Sequence, residues 1–449
     1  MHTLGIDIGT TTISVVMVDC EKREVLGKRT IAHQTFMEGH LPEAKIQNPG
    51  KIYELTKDAV QSLTEEFGQP ECIGLTGQMH GMLYVDNEGN AVSPLYTWQD
   101  GCGDLLMEDG RSYAEVLRTT GGAASTGYGL VSHFYLQKND MIPENAVKMT
   151  TISDYIGMQL CERKEPVIAK DMAASWGCFD LENGDFLRDE LKVLGVDISY
   201  LPEVMEEHSA MGYIMEEKIP VIVSRGDNQA SVLGAVESLK DTVLLNIGTG
   251  SQISVGTECY CECSGSIEFR PCDRDISLLV GASLCGGRAY AMLEKFYRAV
   301  SKNAEEMYEL MERQAREFLD TCGLDEAWKI RTTFSGTRNN PQERGRIEGI
   351  GVDNFCPGAM TVGMIVGILD ELHEMYLQMC EMTGRRAARL AGAGNGLRKN
   401  RLMQELAEKI FGMKMEISGC EEEAAFGAAL YSAKVKKQQK NVINKKINN

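Results

Sequence analysis

The chain has 449 residues, 43% hydrophobic and 25% charged, which is a globular composition with room for two or three domains. Its formal net charge of −19 excludes nucleic acid as the main partner, because phosphate backbones select basic patches. No apolar run is long enough to span a bilayer, and Met1-His2-Thr3 enters a strand without a leader, so a cytoplasmic protein free of membrane is expected.

The first element is a strand, a glycine- and threonine-rich turn, and a second strand: Gly5-Ile6-Asp7-Ile8-Gly9-Thr10-Thr11-Thr12, then Ile13 to Asp19. Backbone N–H groups converging in such a turn suit an anion, and three hydroxyls add donors. Asp7 stands where a carboxylate would hold a metal ion, since it would repel a phosphate. An ordinary hairpin is the competing reading. A third strand is expected over Arg23 to Ile31. A helix follows from Gly50 to Phe67, with Tyr53, Ala59, Val60 and Leu63 on its buried side.

A strand from Cys72 to Thr76 runs into Gly77-Gln78-Met79-His80-Gly81. Polar residues and glycine at a strand end are a common ligand site. Gln78 and His80 suit a polyhydroxylated ligand, or His80 packs within a loop. In Tyr96-Thr97-Trp98-Gln99-Asp100-Gly101 an indole face and polar acceptors suit a sugar, or the tryptophan is half-buried near a turn. Residues Ser112 to Cys161 read as mainly helical and include Ile152-Ser153-Asp154-Tyr155-Ile156. In Asp171-Met172-Ala173-Ala174-Ser175-Trp176-Gly177 small residues leave room for a ligand or for close packing.

The strand Val221 to Ser224 ends in Arg225-Gly226-Asp227-Asn228-Gln229-Ala230. Asp227 is placed as a general base beside two amides, or as a helix cap. Gly234 to Asp241 is the expected hinge. It divides an N-terminal domain (1–237) from a C-terminal one (238–433), with a frayed basic tail over 434–449.

The second half opens with an echo of the first hairpin, Leu244-Leu245-Asn246-Ile247-Gly248-Thr249-Gly250-Ser251-Gln252-Ile253-Ser254-Val255. Two self-similar hairpins point to two related domains, each with a phosphate-cradling turn. No Gly-x-x-x-x-Gly-Lys-Ser/Thr loop is present, and a strand rather than a helix follows the glycines, which excludes a Rossmann turn. Cys259, Cys261 and Cys263 alternate, which puts three thiols on one face of a strand. A zinc site there, as in a metal-binding regulator, is the lesser reading because no nearby histidine completes it, and the 14 scattered cysteines read as free thiols of a reducing compartment.

Beyond them come a strand (Ile276 to Val280), a helical region (Ala289 to Phe318) and a polar loop (Phe334 to Arg338, Pro341 to Gly345). A buried helix (Thr361 to Met382) follows. Arg389 to Gly396 reads as a strand ending in a glycine turn that lets a base or ribose approach the backbone. A helix from Lys399 to Phe411, a strand from Lys414 to Ile417 and a small-residue helix from Glu421 to Ala433 complete the chain.

Seven short motifs occur in one order: Asp7 to Thr12, Gly77 to Gly81, Thr97 to Gly101, Gly226 to Ala230, Gly248 to Ser251, Gly392 to Asn400, and Glu423 to Leu430. As a set they resemble the FGGY carbohydrate kinases. The resemblance implies an α/β fold of two ribonuclease-H-like (actin-like ATPase) domains with a central cleft. It implies an ATP-dependent sugar kinase using Mg²⁺, with a small-molecule sugar as partner and a homodimer as a candidate assembly.

Residue by residue, the resemblance makes Asp227 the catalytic base and Asp7 the metal residue. ATP would meet Thr10, Thr11, Thr12, Gly248, Thr249 and Gly250 at its phosphates and Gly394, Asn395, Gly396 and Asn400 at its adenosine. The sugar would meet Gln78, Met79, His80, Trp98, Asp100, Asp154, Trp176 and Asn228. Thr97 to Gly101, Ala173 to Gly177, and Gly394-Asn395 with Arg398-Lys399-Asn400 are more similar to the sedoheptulokinases. Xylulokinases and other ketose or polyol kinases are the alternatives within the family, and a non-sugar ATPase of the same fold is a more remote one. One departure stands out: Cys102 occupies the place where the family pattern has an arginine.

Overall fold

Both predicted hairpins form, and each lies inside its own sheet with neither strand at an edge. The computed structural model describes all residues except 207, 215–217, 264, 265, 275, 338, 339, 341, 448 and 449, and for 440–447 it describes the backbone alone. The chain divides into two units. The first is Met1–Gly234, Pro271–Arg274 and Glu422–Asn449; the second is Ala235–Arg270 and Asp275–Glu421.

In the first unit, β1 (His2–Ile8) and β2 (Thr12–Asp19) pair antiparallel, with Ile8 opposite Ile13. The β-branched run Ile13-Ser14-Val15-Val16 suits a strand, and Leu4, Ile6, Ile8, Ile13 and Val15 are wholly buried. β3 (Glu24–Ala32) extends the meander. On the other side β1 runs parallel to β4 (Ile73–Gly77). Then come β5 (Ala210–Ile214), β6 (Ile219–Ile222) and the two-residue β7 (Arg225–Gly226), giving the order β5-β6-β4-β1-β2-β3 with β7 paired to β4. Helices α1 (Pro49–Phe67), α2 (Ile152–Leu160), α3 (Lys170–Ser175) and α4 (Asp227–Ala235) belong to this unit. The stripe α1 buries is Ile52, Thr56, Ala59 and Leu63. Tyr53 and Val60, expected there, are only half-buried because they stand one position off that stripe.

The second unit repeats the plan. β8 (Thr242–Ile247) and β9 (Ser251–Thr257) form the hairpin, with Ile247 opposite Ser251. β10 (Ile267–Asp273, its residues from Pro271 on being counted with the first unit), β11 (Ile276–Ser283), β12 (Arg389–Ala393) and β13 (Met415–Ile417) complete the order β10-β11-β9-β8-β12-β13. As in the first unit, the leading strand of the hairpin lies between its antiparallel partner and a later parallel strand.

The expected helical region Ala289 to Phe318 is two helices, α5 (Gly286–Ser301) and α6 (Tyr308–Cys322). Lys302 breaks it by adopting a left-handed conformation at the end of α5. Next are α7 (Pro357–Thr383), buried over much of its surface as expected, and α8 (Arg401–Phe411), which Gly412 closes. Cys259 to Cys263 do not continue β9, which ends at Thr257, so the alternation of thiols does not fall on a strand. Of the polar loop, Arg338 and Pro341 lie outside the described residues.

The C-terminal helix (Glu423–Ile447) differs from expectation twice. It lies in the first unit, where the second domain was expected to run to 433, and its helical backbone extends to Ile447, within the segment expected to fray. Close packing of small residues seats it in the first unit. A Cβ on Gly5 would lie 1.9 Å from the carbonyl oxygen of Ala425, one on Gly74 2.0 Å from that of Ala428, and one on Gly427 1.8 Å from that of Ala230. Glycine permits these approaches and no other residue does. No described helix is long and apolar enough to cross a membrane.

Candidate active site

The turn between β1 and β2 is tight, with the Gly9 amide donating to the Thr12 carbonyl at 2.9 Å. Thr10 is tied down from three sides. Its carbonyl accepts from Gln47 Nε2 at 2.8 Å, and its hydroxyl accepts from Trp98 Nε1 at 2.9 Å and reaches Gln78 Oε1 at 3.4 Å. Gln47 in turn accepts from Gln78 Nε2 at 3.0 Å. Thr11 and Thr12 are exposed. Sequence reasoning missed Gln47, because a lone glutamine ahead of a helix carries no motif.

Asp7 stands on β1 beside this turn. Its Oδ1 is buried with no hydrogen-bond partner. Burial, then the charges of Asp227 and Glu422, push its carboxyl up to about 8. Glu422 itself accepts the hydroxyls of Ser14 at 2.7 Å and Thr30 at 2.8 Å. An orphaned carboxylate oxygen whose charge two further carboxylates oppose fits a cation that would cancel the repulsion. Among the described residues no three His, Cys, Asp or Glu side chains close around one point, so a cation there would keep several water or phosphate ligands.

Asp227 opens α4 where β7 ends, and its Oδ1 accepts the Asn228 amide at 2.6 Å. Both residues are half-buried. β7 pairs with the end of β4, Gly226 opposite Gly77, which brings Asp227 to the strand end that carries Gln78, Met79 and His80. Met79 is buried against Gly226, where a Cβ would lie 2.8 Å from its sulfur. His80 holds a left-handed backbone at φ 73°. Its Nδ1 lies 2.6 Å from the Ser175 carbonyl and its ring stacks on Tyr128 at 4.5 Å. Trp98 is 47% exposed, an unusual state for an indole and one that leaves a face open.

Three residues expected at the sugar are buried and hydrogen-bonded within the protein. Trp176 is wholly buried and donates to the Gly81 carbonyl at 3.0 Å, so it supports the loop from beneath. Asp100 is buried, with its two oxygens accepting the amides of Lys45 and Cys102, each at 3.2 Å; it organises a turn. Asp154 is wholly buried at the start of α2, where it accepts from Thr151 Oγ1 at 2.7 Å and the Ser224 amide at 3.2 Å. Burial pushes its carboxyl up to about 7. Small neighbours signal close packing in these cases. Cys102 is also buried, and burial with the adjacent Asp100 pushes its thiol up to about 12.

In the second unit, Gly248 and Thr249 are exposed at the hairpin tip. Their carbonyls accept the amides of Gly287 at 3.0 Å and Arg288 at 2.9 Å, so the first turn of α5 is seated on the hairpin. Gly286 and Gly287 make this approach possible: a Cβ on Gly287 would lie 2.2 Å from the Gly248 carbonyl oxygen, and one on Gly286 2.6 Å from that of Gly250. These two glycines were not singled out from the sequence, though a glycine pair opening a helix is a legible sign of close approach. Gly394 (φ 82°) and Gly396 press on the Ile247 carbonyl from the next strand. Asn395 is exposed there. Asn400 is buried and caps α8 by accepting the Met403 amide at 2.9 Å, which gives it a structural task at a place expected to border adenosine.

Residues 2–234 match the FGGY family of carbohydrate kinases, N-terminal domain, and residues 266–434 match its C-terminal domain. The chain is 27% identical to a mouse (Mus musculus) sedoheptulokinase over 95% of its length and 96% of that protein's. It is 22% identical to a xylulose kinase of Staphylococcus xylosus, covering 96% and 90%. Among solved structures, xylulose kinase from Rhodospirillum rubrum superposes with a TM-score of 0.83 at 18% identity, covering 96% of this chain and 89% of that one. Plasmodium falciparum glycerol kinase with ADP superposes at 0.79 and 18% identity, covering 97% and 90%. With two sheets of one plan and both family domains in order, the chain belongs to the FGGY family of carbohydrate kinases.

Proposed function

We propose that this kinase transfers the terminal phosphoryl group of ATP to the end primary hydroxyl of a ketose. Sedoheptulose, giving sedoheptulose 7-phosphate, is the first choice, supported by likeness to sedoheptulokinases along nearly the whole chain. Xylulose is the second. The observation that carries the reading is Asp227: a half-buried carboxylate at a strand end, near enough to Asp7 to raise its pKa.

Asp227 takes the proton of the attacking hydroxyl. In phosphoryl transfer most of the rate comes from position and charge neutralisation. Trp98 offers the sugar its open face, while Gln78, Met79, His80 and Asn228 border the reacting end. Thr10, Thr11 and Thr12, and separately Gly248, Thr249 and Gly250, offer donors to phosphate oxygens. Asp7 would hold Mg²⁺, which when bound neutralises phosphate charge. The exposed Asn395, with Gly394 and Gly396, is the piece of the second unit suited to the nucleoside.

A coupled assay of ADP formation over a panel of ketoses, aldoses and polyols tests this. Sedoheptulose should give the highest kcat/KM. ADP formation indifferent to every sugar would sink the kinase reading, and preference for another ketose would change only the acceptor.

A further inference from the structure

The three residues that lead into Asp227 are held unusually firmly. Asp154 Oδ1 accepts the Ser224 amide at 3.2 Å, and Asp171 Oδ2 accepts the Gly226 amide at 3.0 Å. Between them, the Arg225 carbonyl accepts from Thr76 Oγ1 at 2.9 Å. Ser153 and Ser224 hydroxyls meet at 2.8 Å. The Arg225 guanidinium donates through Nε to Asp171 Oδ2 at 2.9 Å, through Nη1 to the Tyr431 hydroxyl at 2.8 Å, and through Nη2 to the Cys272 carbonyl. Its face lies 4.7 Å from the centre of the Tyr431 ring. Arg225, Asp171 and Asp154 are all wholly or almost wholly buried.

Such a set is a poor device for stability alone. Burying a guanidinium and two carboxylates costs solvation that their attraction only offsets, and an apolar cluster of the same volume serves a core as well. What ions and fixed amides supply is direction. One oxygen, Asp171 Oδ2, receives both the Arg225 side chain and the next residue's amide, so side chain and backbone share an acceptor. Gly226 is held through its own amide and through its pairing with Gly77. The next residue is Asp227.

We propose that Arg225, with Asp171 and Asp154, is a positioning set that aims the Asp227 carboxylate at the acceptor hydroxyl. The inference rests on the reading of Asp227 as the base. All three are buried and act through the backbone that leads into Asp227. Their effect is on the distance and angle of proton transfer, to which the rate of an oriented reaction is steeply sensitive.

The test uses the full-length enzyme with ATP, Mg²⁺ and its best sugar. Arg225→Lys and Asp171→Asn keep volume but break the shared acceptor, and Tyr431→Phe removes a single bond. Steady-state constants, the pH dependence of kcat, thermal unfolding and the number of ATP-binding sites are measured for each. Arg225→Lys and Asp171→Asn should lower kcat per ATP-binding site about ten- to a hundredfold. KM for sugar and ATP should stay within about twofold, and the acidic limb of the kcat profile should move. Tyr431→Phe should lower kcat about two- to fivefold in the same manner.

Wild-type kcat per site with an unmoved acidic limb, in Arg225→Lys or Asp171→Asn, would overturn the proposal. Should both of those variants fail to fold, the same result in Tyr431→Phe would overturn it. Asp227→Ala separates the two readings. If it retains turnover, the base assignment itself fails. If it is inactive while the positioning variants are normal, only this inference fails.

Discussion

Trp98 Nε1 donates to the hydroxyl of Thr10 at 2.9 Å, so one hydrogen bond joins the exposed indole to the turn between β1 and β2. The bond orients a ring that is otherwise 47% exposed. Two measurable consequences follow, one for the sugar and one for the nucleotide. Trp98→Ala, which removes the face, should raise sugar KM about tenfold or more. Trp98→Phe keeps a face but frees Thr10; sugar KM and ATP KM should both rise, by about two- to fivefold, the scale of one lost hydrogen bond. ATP KM unmoved in Trp98→Phe would show that the bond does nothing for the phosphate turn.

Asp7 gives a prediction in pH. Its folded pKa, about 8, lies above the ordinary carboxylate value, so the folded protein binds this proton more tightly than the unfolded chain. Without divalent cation, this group's contribution to stability is therefore fully present at pH near 4 and is lost as pH rises through about 8. Chelator-treated protein should show a melting temperature that declines over that window, and Asp7→Asn should flatten the decline. Mg²⁺ at pH 8 should raise the melting temperature of the wild type and not of Asp7→Asn. An equal Mg²⁺ response in both would move the cation away from Asp7.

The C-terminal helix gives a prediction in stability. Gly427→Ala places a methyl 1.8 Å from the Ala230 carbonyl oxygen, which only backbone movement can relieve. Overpacking of this kind costs about 1–3 kcal/mol, and a backbone clash lies at the upper end or beyond. Urea unfolding reads it directly. Gly412→Ala, at φ 68° but with nothing near, should cost only about 1 kcal/mol, the penalty of the left-handed conformation. Equal losses in the two would contradict the packing account.

Much of the fold was legible because the informative pieces are local. Two β-branched runs around Gly-Thr turns announce hairpins, and the order of the motifs indicates a repeated plan. Long-range partners were not legible. Nothing local assigns the C-terminal helix to the first unit; only the approach of Gly5 and Gly74 to its backbone does so. The site divides in the same way. Asp227 and Trp98 were readable as a polar strand end and an aromatic beside amides. Trp176, Asp100, Asp154 and Asn400 carry the same residue types, yet each is buried and hydrogen-bonded by neighbours distant in sequence or by a helix end. Residue type marks chemistry, but which side chains the fold commits to internal hydrogen bonds is set by partners far away in the sequence. Gln47 and Arg225 were missed for the converse reason, since their importance lies wholly in what they touch.

The central claim is that Asp227 removes a proton from a sugar hydroxyl that attacks ATP. The most direct measurement is turnover of Asp227→Ala, with ADP formation followed in the presence of sedoheptulose and ATP binding measured on the same sample. The account predicts a fall in kcat of about a hundredfold to ten-thousandfold, with ATP affinity retained. Near-normal kcat in a variant that still binds ATP would contradict it.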